Sequence, residues 1–166
     1  MEQPKLILLR GNSGSGKSTV AEQLRQRASS KRVAIVGQDN LRRTILKEKE
    51  SEGTVNLGLI HQTVQYTLSN DYDVILEGIL YFPRYRAILT DLIATWPNHF
   101  VYYFDVSLAE TIRRHHTKPN AHEFGEPQLK DWYRSRDLTN FDGEQIIPQI
   151  FTLDRTVAQI LADTSL

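Results

Sequence analysis

Residues 5–19 read Lys-Leu-Ile-Leu-Leu-Arg-Gly-Asn-Ser-Gly-Ser-Gly-Lys-Ser-Thr. The first six, Lys5–Arg10, form an apolar run bounded at once by glycine, the pattern of a strand buried on both faces. The next nine, Gly11-Asn12-Ser13-Gly14-Ser15-Gly16-Lys17-Ser18-Thr19, match G-x-x-x-x-G-K-[ST] between a strand and a helix predicted over Ser18–Ala28. Glycine lets backbone N–H groups turn inward around an anion without Cβ clashes, and the helix N-terminus adds its partial positive charge. In such a loop Gly11–Thr19 cradle nucleotide phosphates, Lys17 supplies a cation to the β- and γ-phosphates, and the Ser18 hydroxyl reaches Mg²⁺. The plain alternative is an ordinary glycine-rich turn. The complete pattern in this setting favours nucleotide triphosphate binding.

Further short apolar runs follow at Arg32–Gly37, Val74–Glu77 and Phe100–Asp105, and Glu144–Pro148 reads as a fifth strand. Helical periodicity occupies the intervals. Helices are expected over Asn40–Glu48, over Leu57–Ser69 with Asn56 as N-cap, and over Arg84–Thr95, stopped by Trp96-Pro97. Leu108–His115 opens with a Ser107/Glu110 capping box, Pro127–Ser135 is a short helix, and Leu153–Ala162 is capped by Thr152. Strands alternating with helices predict an α/β fold of three layers, an approximately five-stranded parallel sheet with helices on both faces, as one domain over residues 1–166.

Composition narrows the chemistry. The 166 residues hold no cysteine, which excludes a disulfide framework, thiolate metal sites and a cysteine nucleophile. No stretch approaches the roughly 18 apolar residues of a membrane span, so a cytoplasmic protein without a membrane partner is expected. Twenty basic residues balance twenty acidic ones, and this removes any global electrostatic pull toward nucleic acid or membranes.

A triphosphate loop serves switches, motors and kinases alike. A guanine-nucleotide switch needs D-x-x-G, which is missing, and N/T-K-x-D, which Thr117-Lys118-Pro119-Asn120 misses at its last position. A motor ATPase calls for an acidic pair ending the third strand, whereas Val74-Ile75-Leu76-Glu77 runs into Gly78. The single carboxylate of Glu77 suits the Mg²⁺ shell or an acceptor, or else simply caps the sheet edge. At the end of the second strand, Gly37-Gln38-Asp39-Asn40-Leu41-Arg42-Arg43 sets Asp39 where ligands bind in open α/β sheets. A carboxylate there can take the proton of an attacking hydroxyl, a contribution of roughly 10²–10⁴ in rate. Asp is also a favoured helix N-cap. Arg42, one turn on, can face the same cleft, while Arg43 is expected to be solvated.

These segments resemble the small P-loop, AAA-domain kinases that phosphorylate hydroxyls, a group that includes polynucleotide 5′-kinases, chloramphenicol phosphotransferases and zeta-toxin kinases. The resemblance rests on Gly11–Thr19, Gln38–Arg42, the Val74–Gly78 strand end and an arginine-rich lid, and it spans most of the chain. It implies ATP and Mg²⁺ as cofactors, Asp39 as general base and, by analogy with the polynucleotide branch, Arg42 as a contact to a substrate phosphate.

The lid is expected at about residues 113–136. Arg113 and Arg114 lie in a basic cluster before Pro119, and Arg134 and Arg136 lie in a second cluster after it. Closure would exclude water and bring guanidinium groups to the transferring phosphoryl. One arginine of each pair is expected to act. His115-His116 lacks any zinc-like spacing to further ligands. Tyr81, in the stretch after the third strand, is a candidate to stack on an acceptor, against the alternative of helix-entry packing. Trp132 and Tyr133 either close over an acceptor ring or anchor the lid, and Lys47–Glu50 is expected to be a solvated helix end.

The neutral total divides unevenly. Residues 1–109 carry 13 basic and 11 acidic side chains, residues 110–136 carry 6 and 4, and residues 137–166 carry 1 and 5. A lid of that charge falls short of the continuous basic groove that long nucleic acid needs. A small-molecule hydroxyl, nucleoside-like or antibiotic-like, is therefore the expected acceptor. A polynucleotide 5′-hydroxyl and a non-catalytic nucleotide-binding switch are the alternatives.

Overall fold

Every residue of β1 (Leu6–Gly11) is buried, because its side chains alternate between two separate cores. The computed structural model describes residues 3–29, 32–49, 55–119 and 121–166. The other strands are β2 (Val33–Gly37), β3 (Asp73–Gly78), β4 (His99–Asp105) and β5 (Gln145–Pro148), all parallel, in the order β2-β3-β1-β4-β5. The helices are α1 (Lys17–Arg27), α2 (Val55–Leu68), α3 (Phe82–Thr95), α4 (Leu108–His115), α5 (Glu126–Trp132) and α6 (Leu153–Thr164). On one face Leu6 and Leu8 of β1 meet Val64 and Leu68 of α2 and Leu89 and Leu92 of α3. On the other, Ile7 and Leu9 meet Val20 and Leu24 of α1 and Val157 and Ile160 of α6. This is the expected three-layer α/β architecture. Among the described residues no helix is long and apolar enough to cross a membrane.

Register aligns the functional ends. Leu9 and Gly37 both pair with Glu77, and Gly11 pairs with Phe104, so β1 to β4 finish along one edge. The chain leaves β1 toward β2 on one side and leaves β4 toward β5 on the other, so a switch point, where open sheets bind ligands, lies at the end of β1.

Three expected elements differ. Asn40–Glu48 does not form an α-helix. It is a π-helical turn, Asn40–Ile45, in which Leu46 N–H reaches back five residues to Leu41 O at 3.0 Å. Asn56 lies inside α2, where its buried amide donates to Tyr85 Oη at 2.9 Å and ties α2 to α3. The start of α2 therefore lies earlier than expected, against residues outside those described. The short helix expected at Pro127–Ser135 is α5, which ends at Trp132 because Tyr133 turns extended. The caps at Ser107 and Thr152 form as expected, accepting from Glu110 N–H and Arg155 N–H. The Glu110 carboxylate, though, goes to Arg113 and Arg114 instead of closing the capping box.

The end of β1 is fixed by a buried cation. Arg10 is fully buried and donates to Leu80 O through Nε (3.2 Å) and Nη2 (3.0 Å), to Asp137 O (2.7 Å) and to Asp137 Oδ2 (2.6 Å). Glu144 stands 3.8 Å away, and the Phe82 and Tyr103 rings lie at 5.7 and 5.9 Å. Desolvation pulls the guanidinium pKa down, against the opposing pull of Asp137 and Glu144. Both carboxylates are themselves occupied. Asp137 Oδ2 accepts from Phe82 N–H, and Glu144 accepts from the N–H groups of Thr139 and Asn140. Arg10 thereby joins β1 to the β3–α3 loop and to the segment after the lid. Breaking a buried pair from one side leaves uncompensated charge and costs about 3–5 kcal/mol. We predict a loss of that size for Arg10→Met in chemical denaturation, and a loss under about 1 kcal/mol would show that the network is not stabilising.

Candidate active site

The turn after β1 owes its shape to three glycines at positive φ: Gly11 (151°), Gly14 (79°) and Gly16 (99°). Space is as restrictive as backbone angle. A Cβ on Gly11 would lie 2.8 Å from Phe104 O, and one on Gly14 would lie 3.1 Å from Thr111 O in α4. Gly16 caps α1, whose first turn carries no acidic residue to compete with a bound anion. Lys17 folds into the loop and donates to Asn12 O (2.8 Å) and Ser15 Oγ (3.1 Å). Burial lowers its pKa to about 8, although Glu77 and Asp39 pull the other way. The Asn12 amide pairs with the Arg134 backbone in both directions, donating to Arg134 O at 2.6 Å and accepting from Arg134 N–H at 2.8 Å. Ser13 is half-buried within the loop.

Ser18 Oγ donates to Glu77 Oε2 at 3.2 Å. Burial raises the Glu77 pKa, partly offset by Lys17 and by that hydroxyl. A hydroxyl facing a carboxylate beside a phosphate loop is a hard-oxygen set that fits Mg²⁺, which takes one or two protein ligands and completes its shell with phosphate and water. No group of three or more His, Cys, Asp or Glu able to hold a metal occurs among the described residues, and His115 and His116 form no such site. Glu77 has room because Gly37 faces it: a Cβ there would approach Glu77 Oε1 to 3.0 Å.

Asp39 follows β2 in helical conformation and does not cap the turn with its side chain. Its carboxylate is 64% exposed, and its Oδ1 is held by Arg42 Nη2 at 3.0 Å and Arg43 Nε at 3.3 Å. Arg42 is buried and also donates to Glu48 O. The wide π-helical turn sets both arginines on Asp39, so Arg43 is not merely solvated as expected.

Strand order arranges what surrounds these groups. At the β2–β3 end a cavity of about 540 Å³ is lined by Gln38, Asp39, Arg42, Tyr81, Trp132 and Arg134 among others. At the β4–β5 end a second cavity, of about 220 Å³, is lined by Ser15, Gly16, Thr19, Arg114, Gln149 and Phe151 among others. The phosphate loop, on central β1, stands between them. The residues after β5 that line the second cavity were not singled out from sequence, since nothing local marks Gln149 or Phe151.

The lid runs from α4 to α5. Arg114 donates to Ser15 O in the loop (3.1 Å) and to Gln149 O (3.5 Å), with Nε on Glu110 (2.7 Å). Arg113 is 69% exposed, pairs with Glu110 alone among the described residues, and lines neither cavity. Its own pKa is raised by that carboxylate. Arg134 lies over the Tyr81 ring at 5.5 Å, while Arg136 pairs with Asp105 at 3.2 Å, away from both cavities. A cation missed from sequence is Lys118. The cleft desolvates it and lowers its pKa, against the attraction of Asp39 and Glu77. His115 pins the lid loop, its Nε2 bonding Ala121 O and Phe124 O and its ring stacking on Phe124 at 4.6 Å. Tyr133 anchors the far end by donating to Val106 O at 3.0 Å.

A family model described as an AAA domain matches residues 6–139. No curated protein matches the sequence. Among solved structures the chain is similar to the APS kinase of Mycobacterium tuberculosis in complex with AMPPNP and APS, at TM-score 0.76 and 20% identity, with 100% of both chains covered. It is similar to a gluconokinase from Sinorhizobium meliloti 1021 (TM-score 0.64, 16% identity, 99% of this chain and 94% of that one). It is also similar to a chain of the Pnkp1/Rnl/Hen1 RNA repair complex (TM-score 0.57, 20% identity, 79% and 43%). These likenesses show a shared fold, the P-loop NTPase sheet. The family match spans most of the sequence and includes the loop, Asp39, Glu77 and both ends of the lid, and on it the chain belongs to the AAA domain family.

Proposed function

We propose that this chain is an ATP-dependent kinase that transfers the γ-phosphoryl group to a hydroxyl of a small molecule, nucleoside-like or antibiotic-like. The observation that carries the reading is the order of parts along the sheet edge. A carboxylate opens onto one cavity, a second cavity lies at the other end, and the phosphate loop stands between them. That order suits in-line transfer, with the donor base beyond the loop on one side and the acceptor beyond it on the other. The similarity to kinases of small molecules supports the same class.

The backbone of Gly11–Ser18 and the Lys17 ammonium hold the triphosphate, and Ser18 with Glu77 would hold Mg²⁺. When bound, that ion supplies positive charge to the phosphate oxygens. Asp39 accepts the proton of the acceptor hydroxyl. The hydroxyl oxygen bonds to the γ-phosphorus as the bond to the β–γ bridging oxygen breaks, and ADP leaves. Lys118 and Arg114 offset charge near the transferring group, and Arg42 orients both Asp39 and the acceptor.

Radiolabelled γ-phosphate from ATP, offered to a panel of nucleosides, sugars, antibiotics and 5′-hydroxyl oligonucleotides, tests the reading. Label appearing in free phosphate alone would refute it. Lys17→Ala should abolish transfer with the circular dichroism spectrum unchanged. Asp39→Asn should lower acceptor-dependent turnover by at least about 10² while ATP affinity stays within a few-fold. Equal turnover in that variant would move the base elsewhere.

Nucleotide binding should also be linked to a proton. A bound triphosphate favours the charged form of Lys17, so its pKa rises from about 8 on binding. Affinity for Mg²⁺·AMPPNP should then be insensitive to this group below pH 7 and should fall as pH rises past 8. Calorimetry at pH 8.5 in buffers of different ionisation heat should register proton uptake; proton release, or affinity rising with pH, would contradict the assignment.

A further inference from the structure

The cavity beside Asp39 carries more positive charge than a neutral acceptor requires. Among the described residues, five cations (Arg42, Arg43, Lys49, Arg84 and Arg134) line it with two carboxylates, Asp39 and Glu123, in a chain of zero formal charge. Asp39 is shared between Arg42 and Arg43. Arg134 is held by the carbonyls of Asp131 (2.7 Å) and Tyr133 (2.9 Å), which orient the guanidinium without cancelling its charge.

Two of these cations lie over aromatic faces. Arg43 lies 5.7 Å from the rings of both Phe124 and Trp132 on the lid, and Arg134 lies 5.5 Å from Tyr81 in the β3–α3 loop. Such faces accept a flat ring by stacking and hold the guanidinium planes in place. Neutral recognition groups are already engaged within the protein. The Gln38 amide bonds Leu80 N–H and Tyr85 Oη, and Gln128 Oε1 accepts from Gly125 N–H. A polyhydroxylated neutral sugar therefore finds few partners here. The volume, about 540 Å³, suits one small ligand and does not provide a track for a strand.

We infer that the acceptor is a ring-bearing phosphomonoester of the nucleoside monophosphate kind. Its phosphate lies against Arg43 and Lys49, its ring lies between Tyr81 and the Phe124/Trp132 pair, and its hydroxyl is presented to Asp39. The inference rests on the kinase reading above and names the substrate class of that same site.

The test compares acceptors that differ only in the phosphate: adenosine with its 3′- and 5′-monophosphates, and uridine with its own. Glucose 6-phosphate, benzyl alcohol and a 5′-hydroxyl oligonucleotide are the other arms. With Mg²⁺·ATP, at least one monophosphate should exceed its parent nucleoside in kcat/KM by roughly 10–100-fold, the range of a charge-assisted contact. Glucose 6-phosphate and benzyl alcohol should be poorer than that monophosphate, and raising the salt should increase its KM. Arg43→Gln should shrink the monophosphate preference about tenfold, whereas Trp132→Leu should weaken both members of a pair alike. Nucleosides or sugars that match the monophosphates, or an oligonucleotide that outranks them, would overturn the inference. Calorimetry of each monophosphate in the presence of saturating Mg²⁺·AMPPNP separates the two claims. Binding without transfer to any acceptor would refute the kinase reading and leave the ligand class standing. Transfer to neutral acceptors without monophosphate binding would refute the ligand class alone.

Discussion

The guanidinium of Arg10 is the constraint around which the site is arranged. A fully buried cation cannot be left without acceptors, and its partners come from two distant parts of the chain: Leu80 O in the β3–α3 loop, and Asp137 with Glu144 in the segment after the lid. Leu80 is itself at positive φ, a conformation that a residue without glycine's freedom keeps only when its surroundings impose it. Here they do, since Leu80 O is taken by Arg10 and Leu80 N–H by Gln38. The loop carrying Tyr81 and the segment carrying Arg134 are therefore set by the same charge that ends β1, one residue before the phosphate loop.

The parallel sheet supplies the other half of the arrangement. Because neighbouring strands end level, groups that are far apart in sequence meet at one edge, and the strand order converts chain order into a row of functions. β2 and β3 bring Asp39 and Glu77, β1 brings the loop, and β4 and β5 bring the second cavity. The lid completes both ends. Arg114 reaches the loop and the β5–α6 connection, while Trp132 and Arg134 reach the opposite cavity.

What could be read from sequence was local. The strand run Leu6–Leu9, the glycine spacing and the caps at Ser107 and Thr152 each depend on near neighbours, and all appear as expected. What could not be read depended on phase and on tertiary approach. Arg113 and Arg114 are adjacent in sequence, and only the packing of Thr111 against Gly14 decides which faces the loop. Arg114 follows Thr111 by three residues and shares its side of α4, whereas Arg113 does not. Arg43 entered the cavity because the turn after Asp39 is wider than the α-helix that periodicity suggested. Lys118, Gln149 and Phe151 carry no motif of their own; they belong to the site only because the lid and β5 fold over it.

The pairing of Asn12 with the Arg134 backbone gives an unspecified position of the phosphate-loop pattern a specific duty. Only a side chain that both donates and accepts in one plane satisfies a peptide unit in both directions. A carboxylate there would set oxygen against the Arg134 carbonyl, and a serine would be too short to bridge. The variable letters of the pattern are thus free with respect to phosphate but not with respect to the lid. Through this one amide the phosphate loop is tied directly to the backbone of a lid residue 122 positions away.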